Sequence, residues 1–123
     1  MRRLPITALL GLLLSALAAC SDPQTDTPTA GAQQPFADAT ITAEGMARWS
    51  RTCAMCHVNG EGGAPRIGDA EAWHTRLAQG EDVVMQHTIE GLNNMPPLGY
   101  CMDCEREDLR AFIRFMATGA APS

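Results

Sequence analysis

The chain contains no lysine. All nine of its basic residues are arginines, set against fourteen acids, for a formal charge of −5. That balance argues against nucleic acid as a partner, because neutralising phosphates takes a surplus of basic side chains. It favours a partner with a basic docking face. No apolar run reaches the ~20 residues that a membrane-spanning helix needs. No segment alternates with a period of two, so no sheet is expected. There is no internal repeat.

What is present begins with "MRRLPITALLGLLLSALAAC". Arg2 and Arg3, a short apolar core and small residues give the layout of a bacterial export signal, expected over residues 1–19. Leu17-Ala18-Ala19-Cys20 resembles a lipobox, in which Cys20 is acylated and becomes the new N-terminus. An acyl anchor fixes a protein to a membrane face without crossing it. The expected place is therefore the periplasmic side of the bacterial cell envelope, on the inner or the outer membrane. Removing the signal takes away Arg2 and Arg3 and no acid, so the charge of −5 falls by two to −7. Residues 20–40, rich in Pro, Thr, Gln, Ala and Asp, lack the periodicity to bury a face and read as a flexible tether. Its reach as a random coil is roughly 25 Å.

One small domain remains, residues 41–119, followed by a tail at 120–123. A domain this short has little core and often adds a metal, disulfides or a cofactor. Its pattern is helical throughout. Thr42 can cap "AEGMARWSRT", Asp69 can cap "AEAWHTRLAQ" before Gly80, and "EDVVMQHTIE" runs to Gly91. In "EREDLRAFIRFMATG", Leu109, Phe112, Ile113 and Met116 fall on one face. Acids crowd its first turn and arginines follow, matching the helix dipole. The fold class is all-α, with four to five short helices. Long loops are expected at "VNGEGGAPRIG" and "LNNMPPLGY".

The five cysteines carry the chemistry: Cys20, Cys53 with Cys56, and Cys101 with Cys104. In an oxidising compartment idle thiols do not persist. A Cys₄ zinc site would use both C-x-x-C pairs, but they lie much further apart than the ~15–20 residues usual for such sites. A thioredoxin-like redox pair expects a βαβ setting that the pattern does not offer. The reading that uses every residue of "CAMCH" is c-type haem attachment. Cys53 and Cys56, at i and i+3, share one side of a helical turn, so both sulfurs can reach the vinyl groups of one porphyrin. His57 follows directly and is carried beneath the iron. Glu105 stands where a second motif would need its histidine.

Candidates for the iron's sixth position are seven methionines less the initiator, with His74 and His87. Met46, Met85 and Met116 sit on expected helices, where methionine more often fills core. Met55 is trapped in the attachment turn and Met102 lies between two cysteines. His74 and His87, also on helices, read as surface or partly buried side chains. Met95 is in a loop, and Pro96 and Pro97 stop a helix from running through it. A His57/Met95 pair would raise the reduction potential and fill both axial positions. Cys101 and Cys104 are near enough for a short disulfide, read as structural, with a labile signalling pair as the alternative.

These residues resemble a class I c-type cytochrome, and more narrowly the cytochrome c5 family, over about Thr42 to Ala117. The stretches that carry the likeness are "GMARWSRTCAMCH", "GAPRIGDAEAW" and above all "GLNNMPPLGYCMDC", which pairs an M-P-P loop with a nearby C-x-x-C. The resemblance implies the class I cytochrome c fold wrapped around one covalent haem c. It implies that Gly45 and Trp49 pack on the final helix and that the Pro65 carbonyl accepts the Nδ1 proton of His57. It further implies a low-spin electron carrier, not an enzyme, that serves membrane redox complexes or other cytochromes transiently. A haem-based enzyme or sensor with a displaceable sixth ligand is the alternative. Without lysine, a docking patch must be arginine-based, acidic or simply apolar around the haem edge.

Overall fold

The structure, a computed structural model, describes residues 34–120. The expected signal at 1–19, the acylation at Cys20 and most of the tether lie outside the described residues. So does the end of the tail. No described helix is long and apolar enough to cross a membrane.

Five α-helices form the body: α1 Ala43–Arg51, α2 Ala54–His57, α3 Ala70–Leu77, α4 Glu81–Glu90 and α5 Arg106–Thr118. The two expected loops each contain a 3₁₀ turn, at Glu61–Gly63 and at Pro97–Tyr100. Among the described residues there is no strand, only a single bridge between Leu92 and Met95. The caps set the helix starts. Thr42 Oγ1 accepts from the Gly45 amide at 3.0 Å, and Asp69 Oδ1 accepts from the Ala72 amide at 3.1 Å. Side-chain acceptors at these positions satisfy amides that the first turn leaves free. Helix α3 stops at Leu77, earlier than Gly80 suggested, and α4 ends at Glu90 before Gly91 as expected.

Helix α5 presents Leu109, Phe112, Ile113 and Met116 inward, all buried. Helix α1 crosses it where Gly45 removes a side chain: a Cβ there would lie 3.4 Å from Phe112. Trp49 meets Phe115 edge to face, with ring centroids 4.9 Å apart. The small residue lets the two helices approach, and the aromatic pair fills the space beside it.

The domain boundary expected at residue 41 needs correction. Gln34 to Thr40 pack against the body as a strap, with Phe36 and Ala39 buried. The Phe36 amide donates to Glu81 Oε2 at 3.1 Å, and Arg110 binds both Glu81 (2.6 Å) and Asp38 (2.7 Å). Arg114 donates to the Ala39 carbonyl. The reading of the α5 arginines as dipole partners is corrected with it. No basic residue falls in the last turn of α5, and Arg110 and Arg114 instead grip the strap.

Candidate haem-attachment site

The helical turn from Cys53 to His57 closes with the His57 amide donating to the Cys53 carbonyl at 3.0 Å. It puts both thiols and the imidazole along one cleft. Val84 of α4, Leu109, Phe112, Ile113 and Met116 of α5, and Trp73 of α3 form apolar walls. Met95, Pro96, Leu98 and Gly99 line the same cleft from the loop after α4. A methyl group added at Gly99 would sit 3.6 Å from Met95 Cε and 3.7 Å from Cys53 Sγ, so the Met95 side chain ends close to an attachment thiol.

His57 is buried, with 6% of its surface exposed. Its Nδ1 donates to the Pro65 carbonyl at 2.8 Å. A carbonyl only accepts, so Nδ1 carries the proton and Nε2 keeps its lone pair. Such a second hydrogen bond is how proteins fix a metal-binding imidazole. Burial holds the His57 pKa below its ordinary value; the Pro65 bond opposes this and the Arg76 charge adds to it. Trp73 stacks on the ring at 6.0 Å and anchors itself by donating to the Arg66 carbonyl at 2.8 Å. Burial also pushes the Cys53 thiol up. A reactive thiolate needs the reverse shift.

The methionine loop is short and closed on itself. Leu92 and Met95 exchange backbone hydrogen bonds at 3.2 and 3.0 Å around Asn93 and Asn94. Of the other candidate ligands, Met85 is fully buried core, while Met55 and Met102 are exposed and His74 points to solvent. Met46 packs at the edge of the core. Met116 and His87 do reach the cleft, and Met55 lies at its rim. Cys101 and Cys104 have Cα atoms 5.4 Å apart, within disulfide range. Among the described residues, the one cluster of three metal-type ligands is Cys101, Asp103 and Cys104. Cys53 and Cys56 do not join it, so the four cysteines do not gather as a zinc site.

Two thiols on one turn, a neutral imidazole, a thioether and apolar walls fit a haem bonded through its vinyl groups. The family described as cytochrome c oxidase, cbb3-type, subunit III, matches residues 40–116. Cytochrome c5 of Ectopseudomonas mendocina is 41% identical over 70 residues, covering 55% of this chain and 80% of the relative. The chain belongs to the class I c-type cytochromes. Cytochrome c5 of Azotobacter vinelandii is 40% identical over 70 residues, 55% of this chain and 84% of that protein. A solved electron transfer complex of nitrite reductase with cytochrome c holds a chain superposing at TM-score 0.56 and 32% identity. That match covers 63% of this chain and 95% of that one. This cytochrome thus carries haem c covalently through its C-x-x-C-H motif, at Cys53 and Cys56.

Reading the residues one by one singled out Cys53, Cys56, His57 and Met95, set His87 aside as a surface or partly buried side chain, and passed over Trp73, Arg76 and Asn94, all of which line the cleft. Nothing short-range marks them. Trp73 and His87 look like any helical aromatic or histidine until α3 and α4 are folded against the attachment turn.

Proposed function

We propose that this cytochrome is a one-electron carrier with His57 and Met95 as the axial ligands of its haem iron. The observation that carries the reading is that both side chains, from separate segments, line one apolar cleft beside the attachment thiols. The bound haem supplies an iron that alternates between ferrous and ferric states. The protein's part is to hold and shield it. Pro65 fixes the His57 tautomer, the Met95 loop closes over the second position, and Val84, Leu109, Phe112 and Ile113 keep water out. Two protein ligands leave no position for substrate, which suits electron transfer and not oxygen or peroxide chemistry.

The cleft's rim carries little charge: Met55, Leu92 and Tyr100 are exposed there beside Gln79, Asn93 and Asn94. Among the described residues that line it, Glu61 and Arg76 are the only charged ones other than histidine. A weak, mainly uncharged contact with a redox partner suits that rim, in the small-interface class of transient electron-transfer encounters. The nitrite reductase complex of the structural neighbour supports this type of partnership. Cys101 and Cys104 form a structural disulfide that stiffens the link between the Met95 loop and α5. Acylation of Cys20 holds the protein at the periplasmic face of an envelope membrane, where the tether raises its local concentration near membrane redox complexes.

The test is an optical spectrum of the holoprotein, oxidised and then reduced under carbon monoxide, beside Met95→Ala. A far-red methionine-to-iron band that vanishes in the variant, with no gas binding by the natural protein, is the expected result. Carbon monoxide binding to the natural protein, or an unaltered variant, would remove Met95 from the iron and bring forward a haem enzyme or sensor.

A further inference from the structure

The cleft is bounded by two segments that are distant in sequence. One follows the attachment turn and contains the 3₁₀ turn Glu61–Gly63; the other is the Leu92–Met95 reversal. Among the described residues one hydrogen bond joins them directly: Asn94 Nδ2 donates to the Gly62 carbonyl at 3.0 Å, across 32 positions of sequence. Both residues line the cleft. The approach is close enough that a Cβ on Gly62, whose φ is +59°, would lie 3.3 Å from Asn94 Cβ. Asn94 stands next to Met95 at the tip of a reversal pinned at its base by the paired Leu92 and Met95 backbones. Among the described residues the tip has no other hydrogen-bonded tie.

We infer that Asn94 is a positioning residue that latches the Met95 loop shut by bonding the segment extending from His57. The inference rests on the reading of Met95 as the iron ligand. An external base such as imidazole reaches the ferric iron only when Met95 has swung away. Its apparent affinity is therefore its intrinsic affinity scaled by the fraction of molecules with the loop open. The latch lowers that fraction. Asn94 is exposed, so its bond competes with water and contributes at the lower end of the range for one hydrogen bond.

The experiment titrates imidazole into the ferric holoprotein, for the natural chain, Asn94→Ala, Asn94→Asp, Met95→Ala and the Asn94→Ala/Met95→Ala pair. Asn94→Ala is expected to raise the apparent imidazole affinity about two- to fivefold while keeping the methionine band when no imidazole is present. Asn94→Asp keeps the size of the side chain but loses the amide donor, so at neutral pH it should do at least as much. With Met95 already absent no protein ligand has to leave before imidazole binds, so adding Asn94→Ala should change nothing. A merely structural role for Asn94 would lower the thermal midpoint without this dependence on Met95. If Met95→Ala tightens imidazole binding but Asn94→Ala and Asn94→Asp do not, the latch is wrong and the ligand assignment stands. If Met95→Ala leaves the affinity at the natural value, the ligand assignment itself fails and the latch with it.

Discussion

Gly91 decides whether the methionine loop can close. Its φ of +87° and ψ of 154° lie in a region that is essentially reserved for glycine. A Cβ there would also stand 2.7 Å from the Met95 carbonyl oxygen and 3.0 Å from the Pro97 nitrogen, both backbone atoms that cannot rotate away. Gly80 makes a natural control: its φ of +90° and ψ of 157° fall in the same region, a methyl group there would meet open space, and it does not line the cleft. Each alanine carries a backbone strain of about 1–3 kcal/mol, and Gly91→Ala must in addition move the loop. We expect Gly91→Ala to weaken the methionine-to-iron band and lower the thermal midpoint, and Gly80→Ala to affect the midpoint alone. Equal spectra for the two would show that the loop tolerates displacement at its root. The cleft residues proposed to carry the chemistry stand out in the sequence because their logic is local. Cys53, Cys56 and His57 are one turn, and Met95 is marked by the prolines after it. The Asn94–Gly62 bond and the Trp73–His57 stack do not, since each depends on segments that meet only after folding.

Helix limits were largely written in the caps, as Thr42, Asp69 and the glycines after α4 and α5 show. The strap was not, because its composition continues that of the polar segment before it, and Phe36 alone gives no period. Its docking combines a buried aromatic ring with the Arg110 cluster. Full burial of such a ring stabilises by about 1.5–3 kcal/mol, and Phe36→Ala should cost that much at most, since the strap can peel off before the body unfolds. Amide exchange confined to the strap would show it. The ion cluster adds a pH dependence. Arg110, through its hydrogen bonds, holds both Glu81 and Asp38 below the usual carboxylate range, and its own pKa is raised by Glu81, Asp38 and Glu107. Lowered folded values mean that this stabilisation is complete above the ordinary values of 4.5 and 3.8. It is lost as pH falls below them through the folded values. Arg110→Met keeps the apolar stem and removes the charge, so the denaturation midpoint of the variant should fall less steeply with acid over that window. A slope identical to that of the natural chain would mean the cluster contributes nothing in solution.

The fold class was legible from period alone, yet the sequence could not show how completely the core is organised around the cleft. The inward face of α5, with Trp73 and Val84, serves as core and as cleft wall together. Behind it Phe36, Ile41, Trp49, Met85 and Phe115 pack without reaching the cleft, so the two parts of the core can be set against each other by withholding the haem. Between its walls the cleft would then present about 170 Å³ of space. That cleft is open at its rim, so without the haem its apolar walls would face water and their burial would be lost. Domains of this size have about 5–15 kcal/mol in all, and a short chain sits at the lower end. Removing the haem also deletes the covalent link between the attachment turn and the walls, so most of the margin is gone. The Cys53→Ser/Cys56→Ser chain, isolated free of haem, should therefore lose much of its helical circular dichroism at 25 °C and melt without a sharp transition. Near-native helicity with a cooperative melt would locate the stability in the strap and the α1–α5 crossing instead, and would make the haem a guest of a finished fold.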